Sequence, residues 1–359
     1  MEISRLTVHT RSGSLIALRT VTDLRQALES YLSRADMLTV TFTDGDKTKT
    51  VDLRRAPSLI PRSLRVKFYR HDGSPAIENM DGLDIGYSFL GHLGDNPSSS
   101  AQFTFRLNEI RGVVKVGSSV ISLKSVVNDG EMLAYVLSRS PSSEAGKRAC
   151  GNHGASAVAG TDINRRWRRE LRLPAQRNVT TRYIEIYVVA SKGVVDRTGS
   201  TSATVQRMID IINYASSLYK QLNIYLALVQ VEVWSNSDPF PVDGAVDDVL
   251  HDFSKYRTNN INPETRNDNA QMFVANMFAD DTIGRGSNTM CSNTGSEAII
   301  ADLDDSDIIA AATTMAHELG HNLGLQHDDE IVGQDCTCPH PDSNDEKCIM
   351  VSVTDSELI

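Results

Sequence analysis

Apolar and polar residues alternate singly through the first part of the chain. Leu38, Val40 and Phe42 alternate with polar neighbours, Asp44-Gly45 supplies a turn, and Val51 and Leu53 resume the alternation. This pattern predicts a β-hairpin. Leu64, Val66 and Phe68 predict a further strand, as do Phe103, Phe105 and Leu107, and then Val113, Val114 and Val116. Only residues 23–32 read as a short helix here. Past residue 170 the period changes. Arg182–Ala190 is a nearly unbroken apolar run and reads as a strand. Val205, Met208, Ile209, Ile212, Ala215, Leu218 and Leu222 then recur every three or four residues, which is one face of a long helix. Residues 224–234 read as a strand and 246–256 as a shorter helix. Met272, Val274 and Asn276 mark another strand, and residues 284–300 should hold the strand at the sheet edge. A last helical face runs through Ile309, Ala312, Ala316, Leu319 and Leu323, with Asp304, Asp305, Ser306 and Asp307 offering N-caps and favourable charge at the helix start. A β-rich block is thus followed by alternating strands and helices, the pattern of an α/β layered domain.

Composition separates the two blocks. Residues 138–160 turn to Ser, Gly, Ala and Pro and read as a linker. Arg165-Arg166-Trp167-Arg168-Arg169 follows, and we divide the chain into residues 1–169 and 170–359. The first part carries 24 Lys+Arg and 17 Asp+Glu, a balance of +7; the second carries 12 and 29, a balance of −17. An acidic second block argues against nucleic acid as its partner. A basic segment docked on an acidic one fits this balance, and so does ordinary solvated surface. No run of 18 or more apolar residues occurs.

The chemistry concentrates in His317-Glu318-Leu319-Gly320-His321-Asn322-Leu323-Gly324-Leu325-Gln326-His327-Asp328. His317 and His321 are four residues apart and share a helix face. Two imidazoles there can give two of the three protein ligands of a catalytic zinc. Glu318, beside the first ligand, is placed to act as general base. Gly324 can adopt positive φ, end the helix and let the chain return His327 to the same metal. Met350 follows downstream, next to Cys348-Ile349.

H-E-x-x-H-x-x-G-x-x-H, with Asp328 after the third histidine and then Cys336-Thr337-Cys338 and Cys348-Ile349-Met350, resembles the ADAM/reprolysin (adamalysin) branch of the metzincins. The resemblance implies an α/β metzincin catalytic domain, a mixed twisted sheet with long helices, a zinc helix and a Met-turn at Met350, preceded by a β-rich propeptide domain. Residues 91–94 and 110–123 resemble that propeptide; an independent β-rich binding module is the rival reading. Secretion is implied too. Met1–Thr10 lacks the layout of a signal peptide, so we expect the natural N-terminus to lie upstream.

Several site residues follow from the resemblance. Asn267-Asp268-Asn269-Ala270-Gln271 matches a segment whose Asp binds structural calcium with the Glu of the first strand, here Asp268 and Glu185. Two unrelated surface carboxylates would look the same. Arg166, Arg168 and Arg169 fit a site for a furin-like processing protease, giving a mature start at Glu170; a merely basic linker is the alternative. Cys150, in Arg148-Ala149-Cys150-Gly151, resembles the inhibitory cysteine switch, without the usual Pro and Lys before it. We expect a Cys338–Cys348 disulfide, with Cys291 and Cys336 paired beyond Ile359 as in the family. A second, structural zinc on Cys336, Cys338, His340 and Cys348 is the alternative. Asn178-Val179-Thr180 is a glycosylation sequon. The family usually has a small apolar residue where Gly286 stands.

The implied function is a zinc endopeptidase, made as a zymogen, secreted or at the cell surface, that cuts polypeptide segments of extracellular or membrane proteins. Its own propeptide would dock on the catalytic domain. The alternative is an inert adhesion or binding scaffold of the same family. An intact Glu318 and three histidines favour the enzyme.

Overall fold

The computed structural model describes residues 2–4, 6–16, 18–57, 59–61, 63–70, 72–80, 83–116, 119–128, 132–140, 148–150, 180–303, 308–328 and 349–354. The chain opens with β1 (Glu2–Ser4), β2 (Leu6–Thr10), β3 (Leu15–Ile16), helix α1 (Val21–Ala27), β4 (Met37–Asp44) and β5 (Lys47–Arg55). Thr20 and Asp23 form a capping box that starts α1. The β4–β5 hairpin is the one its alternation predicts, with Gly45 at φ 60° in the turn and Leu38, Val40 and Phe42 buried. Next come β6 (Arg65–Tyr69) and β7 (Pro75–Asn79), then β8 (Tyr87–Leu93), β9 (Asn96–Phe105), β10 (Ile110–Val116), β11 (Ser119–Asn128) and β12 (Met132–Ser140). Leu107 lies past the end of β9 and is exposed.

Ten of these strands form one antiparallel sheet in the order β1-β12-β11-β10-β9-β8-β5-β4-β2-β3. The hairpin β6–β7 is left out of it. It joins a second sheet instead, built with β13 (Arg148–Cys150), β14 (Arg182–Ala190), β15 (Ile224–Val233), β16 (Asn269–Val274), β17 (Thr282–Gly286), β18 (Glu297–Ala301) and β19 (Val353–Thr354). Its order is β19-β13-β17-β18-β16-β14-β15-β6-β7. The centre, β18-β16-β14-β15, is parallel and β17 runs antiparallel to β18. Parallel strands are covered on both faces, which is why β14 reads as an apolar run and why β16, despite Asn269 and Gln271, is buried throughout.

The covering helices are α2 (Lys192–Thr198), α3 (Thr201–Tyr219), α4 (Val246–Tyr256) and α5 (Ile309–Asn322). Val205, Met208, Ile209, Ile212 and Ala215 are the buried face of α3, whereas Leu218 is partly buried and Leu222 lies past the helix end and is exposed. Ile309, Ala312, Ala316 and Leu319 bury one face of α5. Ile308 is the N-cap of α5; the capping residues read from sequence, at 304–307, fall outside the described residues. Asn276 falls beyond β16.

Two parts of the stretch read as linker are strands. Ser138–Ser140 closes β12 against β11, and Arg148–Cys150 is β13, parallel to β17 and antiparallel to β19. A small polar composition does not prevent pairing when the partner strand satisfies the backbone N–H and C=O groups. The second sheet's core is continuous with residues from the first 169: Ile60, Leu64, Val66, Val113 and Val120 cluster with Ile186, Val188, Ile209 and Val231.

Candidate metal centre

α5 brings His317 and His321 to one face, and both are buried. The helix ends through a Schellman arrangement. Gly324 has φ 83°, its N–H donates to His321 O at 2.8 Å, and Leu325 N–H donates to Gly320 O at 2.9 Å. The reversal delivers His327, 1% exposed, to the same point.

The three Nε2 atoms converge. His321 Nε2 is 3.1 Å from His317 Nε2 and 3.1 Å from His327 Nε2, and His317 and His327 are 3.3 Å apart. Three nitrogens bound at about 2.0–2.1 Å to one tetrahedral ion would stand roughly 3.3 Å apart. The other ring nitrogens are held by backbone: His317 Nδ1 faces Ile349 O at 2.6 Å and His321 Nδ1 faces Leu325 O at 3.0 Å. A proton on Nδ1 leaves the Nε2 lone pair free for a metal. Burial, and then the neighbouring His317, lower the His321 pKa to about 3, so the ring is neutral. Among the described residues this is the one group of three or more His, Cys, Asp or Glu side chains able to hold an ion. Its all-imidazole donors suit zinc.

Glu318 is 1% exposed and lies against β17. A Cβ at Gly284 would come within 2.7 Å of Glu318 Oε1 and 2.8 Å of Thr314 Cγ2; one at Gly286 would come within 2.5 Å of Glu318 O. Only glycine lets this strand lie so close to the helix. A small apolar residue at 286 would collide with the helix backbone, which accounts for the glycine there.

Met350 packs under the helix between His317 and His321. It is buried against Gly320, and its carbonyl accepts from Asp328 N–H at 2.8 Å. The same turn, through Ile349 O, orients His317.

Two further supports were not read from the sequence. Tyr219, at the end of α3, donates from its hydroxyl to Ala316 O at 2.6 Å. Burial first, then the Glu318 charge, push this phenol well above its ordinary pKa, so it stays a donor. Its signal was the i,i+4 spacing from Ala215 on the apolar face. Asn322 closes the other end of α5. Its amide donates to Ser287 O at 2.6 Å and Glu297 O at 3.0 Å, and its oxygen accepts from Asn269 at 2.8 Å.

Glu185 and Asp268 do come together. Asp268 Oδ2 accepts from Glu185 N–H at 2.9 Å, and Asp268 N–H donates to Glu185 O at 2.9 Å. These bonds join two strands, and the Glu185 carboxylate stands 3.9 Å from Arg266. Cys150 lies on β13 with its Cα opposite Gly284. Cys291 forms no disulfide among the described residues. Arg166, Arg168, Arg169, Cys336, Cys338, His340 and Cys348 lie outside the described residues.

Comparison with known proteins points to a family. The family profile described as Reprolysin (M12B) family zinc metalloprotease matches residues 182–358. The chain is 29% identical over 315 residues to the mouse (Mus musculus) disintegrin and metalloproteinase domain-containing protein 12, covering 84% of this chain and 33% of that protein. It is 34% identical over 177 residues to the zinc metalloproteinase-disintegrin-like atrase-A of Naja atra, covering 49% of this chain and 27% of that protein. It therefore spans about a third or less of the length of these relatives. The crystal structure of metalloproteinase-II from Bacteroides fragilis aligns with a TM-score of 0.47 at 13% identity, over 88% of this chain and 87% of that one.

Proposed function

Because the chain belongs to the reprolysin (M12B) family of zinc metalloproteases through residues 182–358, we propose that it is an active zinc endopeptidase made as a zymogen, secreted or held at a cell surface. The observation that carries this reading is the convergence of three buried imidazoles, two of them oriented by backbone carbonyls, beside a buried carboxylate. His317, His321 and His327 hold the zinc. When bound, zinc acidifies water and polarises a carbonyl. Glu318 accepts a proton from the attacking water and returns it to the leaving amine. Gly284 and Gly286 keep β17 flush with Glu318. Substrates are extended polypeptide segments of extracellular or membrane proteins that pair with β17 by strand addition.

Latency belongs to this reading. β17 is paired with β18 on one side and β13 on the other, so a substrate strand and β13 exclude one another. Cys150 lies opposite Gly284, the residue packed against Glu318, which supports a role for its thiol as the group that closes the metal's fourth position. Cutting after Arg169 by a furin-like protease would separate the two regions covalently. Glu185 and Asp268 are offered as calcium ligands on the family resemblance alone, and Cys338–Cys348 as a disulfide.

The experiment is elemental analysis of the purified chain together with hydrolysis of a peptide library after cutting at Arg169. One zinc per chain and chelator-sensitive hydrolysis, lost in Glu318→Gln, are expected. Hydrolysis that survives zinc removal would overturn the assignment.

A further inference from the structure

The far edge of the second sheet holds a second recognition site, about as distant from β17 as the sheet allows. β15 would be an edge strand there, but β6 pairs with it in parallel, from Gln230↔Arg65 to Val233↔Phe68. At the centre of the contact is Glu232, whose side chain is wholly buried. Its Oε2 accepts from Tyr187 at 2.7 Å; its Oε1 accepts from Tyr256 at 2.5 Å and Trp234 Nε1 at 3.2 Å. Those three donors come from the same half of the chain. β6 adds a fourth donor, the Tyr69 hydroxyl at 2.8 Å, and an ion pair from the Lys67 ammonium at 3.9 Å. Lys67 also reaches Glu264 at 3.0 Å, and it is 5% exposed. Ser235 clamps the Tyr69 backbone, its hydroxyl accepting from Tyr69 N–H at 3.0 Å and donating to Tyr69 O at 2.6 Å.

A wholly buried carboxylate needs charge and hydrogen-bond partners. Among the described residues the cation paired with Glu232 is brought by β6, with Val66 packed into the shared core behind it. We propose that the outer edge of β15, centred on Glu232, is a strand-addition site for an extended Lys-x-Tyr segment. Residues 65–69 fill it, so the N-terminal region stays attached after the chain is cut at the basic run. A second grip acts the same way: Arg106, 3% exposed, pairs with the buried Asp210 of α3. Neither grip touches the metal centre or β17, so cutting between residues 165 and 169 removes none of their bonds. The statement about cutting rests on the zymogen reading; the site itself does not.

The test uses the full chain with Arg165–Arg169 replaced by the recognition sequence of a sequence-specific protease. After the cut, the two pieces should co-elute at physiological ionic strength. Lys67→Gln should speed their separation on dilution by about 30-fold or more, since removing one partner of a buried charge pair acts on the off-rate. Lys124→Gln is the control: that side chain is half exposed and pairs only within the first sheet, with Glu109 at 3.8 Å. It should leave the rate unchanged. Should Lys67→Gln fail to fold, hydrogen exchange on the unmutated cut protein decides: the Gln230–Val233 amides must stay as protected as before cutting. Separation of the wild-type pieces, deprotection of those amides, or equal rates for the two variants would overturn the proposal. Failure of the protease reading would show instead as absent chelator-sensitive hydrolysis, with co-elution intact.

Discussion

The sulfur of Met350 sits so close over Gly320 that a Cβ at position 320 would come within 2.3 Å of it. Gly320 lies between two metal-facing histidines, and the turn that carries Met350 also orients His317 and bonds to Asp328. Gly320→Ala should therefore lift the turn off the helix. We expect a loss of about 1–3 kcal/mol, as for other overpacked sites, with weaker zinc retention. Thermal melts and a zinc competition assay measure both.

Glu318→Gln should keep zinc and fold, because neither depends on a charge at 318. Hydrolysis should fall by about 10²–10⁴, the usual contribution of a general base. A variant that keeps more than roughly a tenth of the rate would rule out that role.

Gly284→Ala puts a methyl group against the Glu318 carboxylate and Thr314. The carboxylate must turn or β17 must back away. We expect kcat to fall on the order of ten- to a hundred-fold, as for small misplacements of a reacting group, with zinc content unchanged. A normal kcat would show that Glu318 works from another rotamer.

Cys150→Ser, in a chain whose Arg169 site is blocked, tests the latch. Peptide hydrolysis should appear in the serine variant and be absent from the same blocked chain with Cys150. Equal latency would mean that β13 inhibits by occupying the edge of β17 alone.

Asn322→Ala strips the bonds to Ser287 O and Glu297 O from a buried amide. Glu297 O keeps the Ser287 N–H as donor, so the loss falls chiefly on Ser287 O and should be about 1–3 kcal/mol. We expect a lower melting temperature and a looser β17–β18 hairpin by hydrogen exchange.

What the sequence disclosed depended on how local the cause was. His317, His321, the glycine stop and the return of His327 lie within twelve residues, and their spacing alone implies the geometry found. The β4–β5 hairpin was legible for the same reason. Leu64, Val66 and Phe68 announced a strand but not its sheet: alternation records burial on one face and says nothing of the neighbour. Arg148–Cys150 was hidden because its pairing depends on β17 and β19, far off in sequence. The close approach at Gly284 and Gly286 was not legible, since the helix that forbids a side chain there begins over twenty residues later. Tyr219 and Asn322 act through carbonyl groups, which leave no mark in a side-chain pattern.

The hairpin β6–β7 is made early in synthesis, long before the strand it covers. β15 emerges more than 150 residues later and can pair with β14 at once, but its outer edge has no later partner among the described strands. A bare parallel edge in a half-built sheet invites pairing with other nascent chains. The hairpin, waiting with Val66 and Lys67 already displayed, is available when that edge appears. A chain expressed from Glu170 onward would leave the ribosome with β15 open and Glu232 without a cation, so its yield of soluble protein should depend on supplying residues 1–169 as a separate polypeptide.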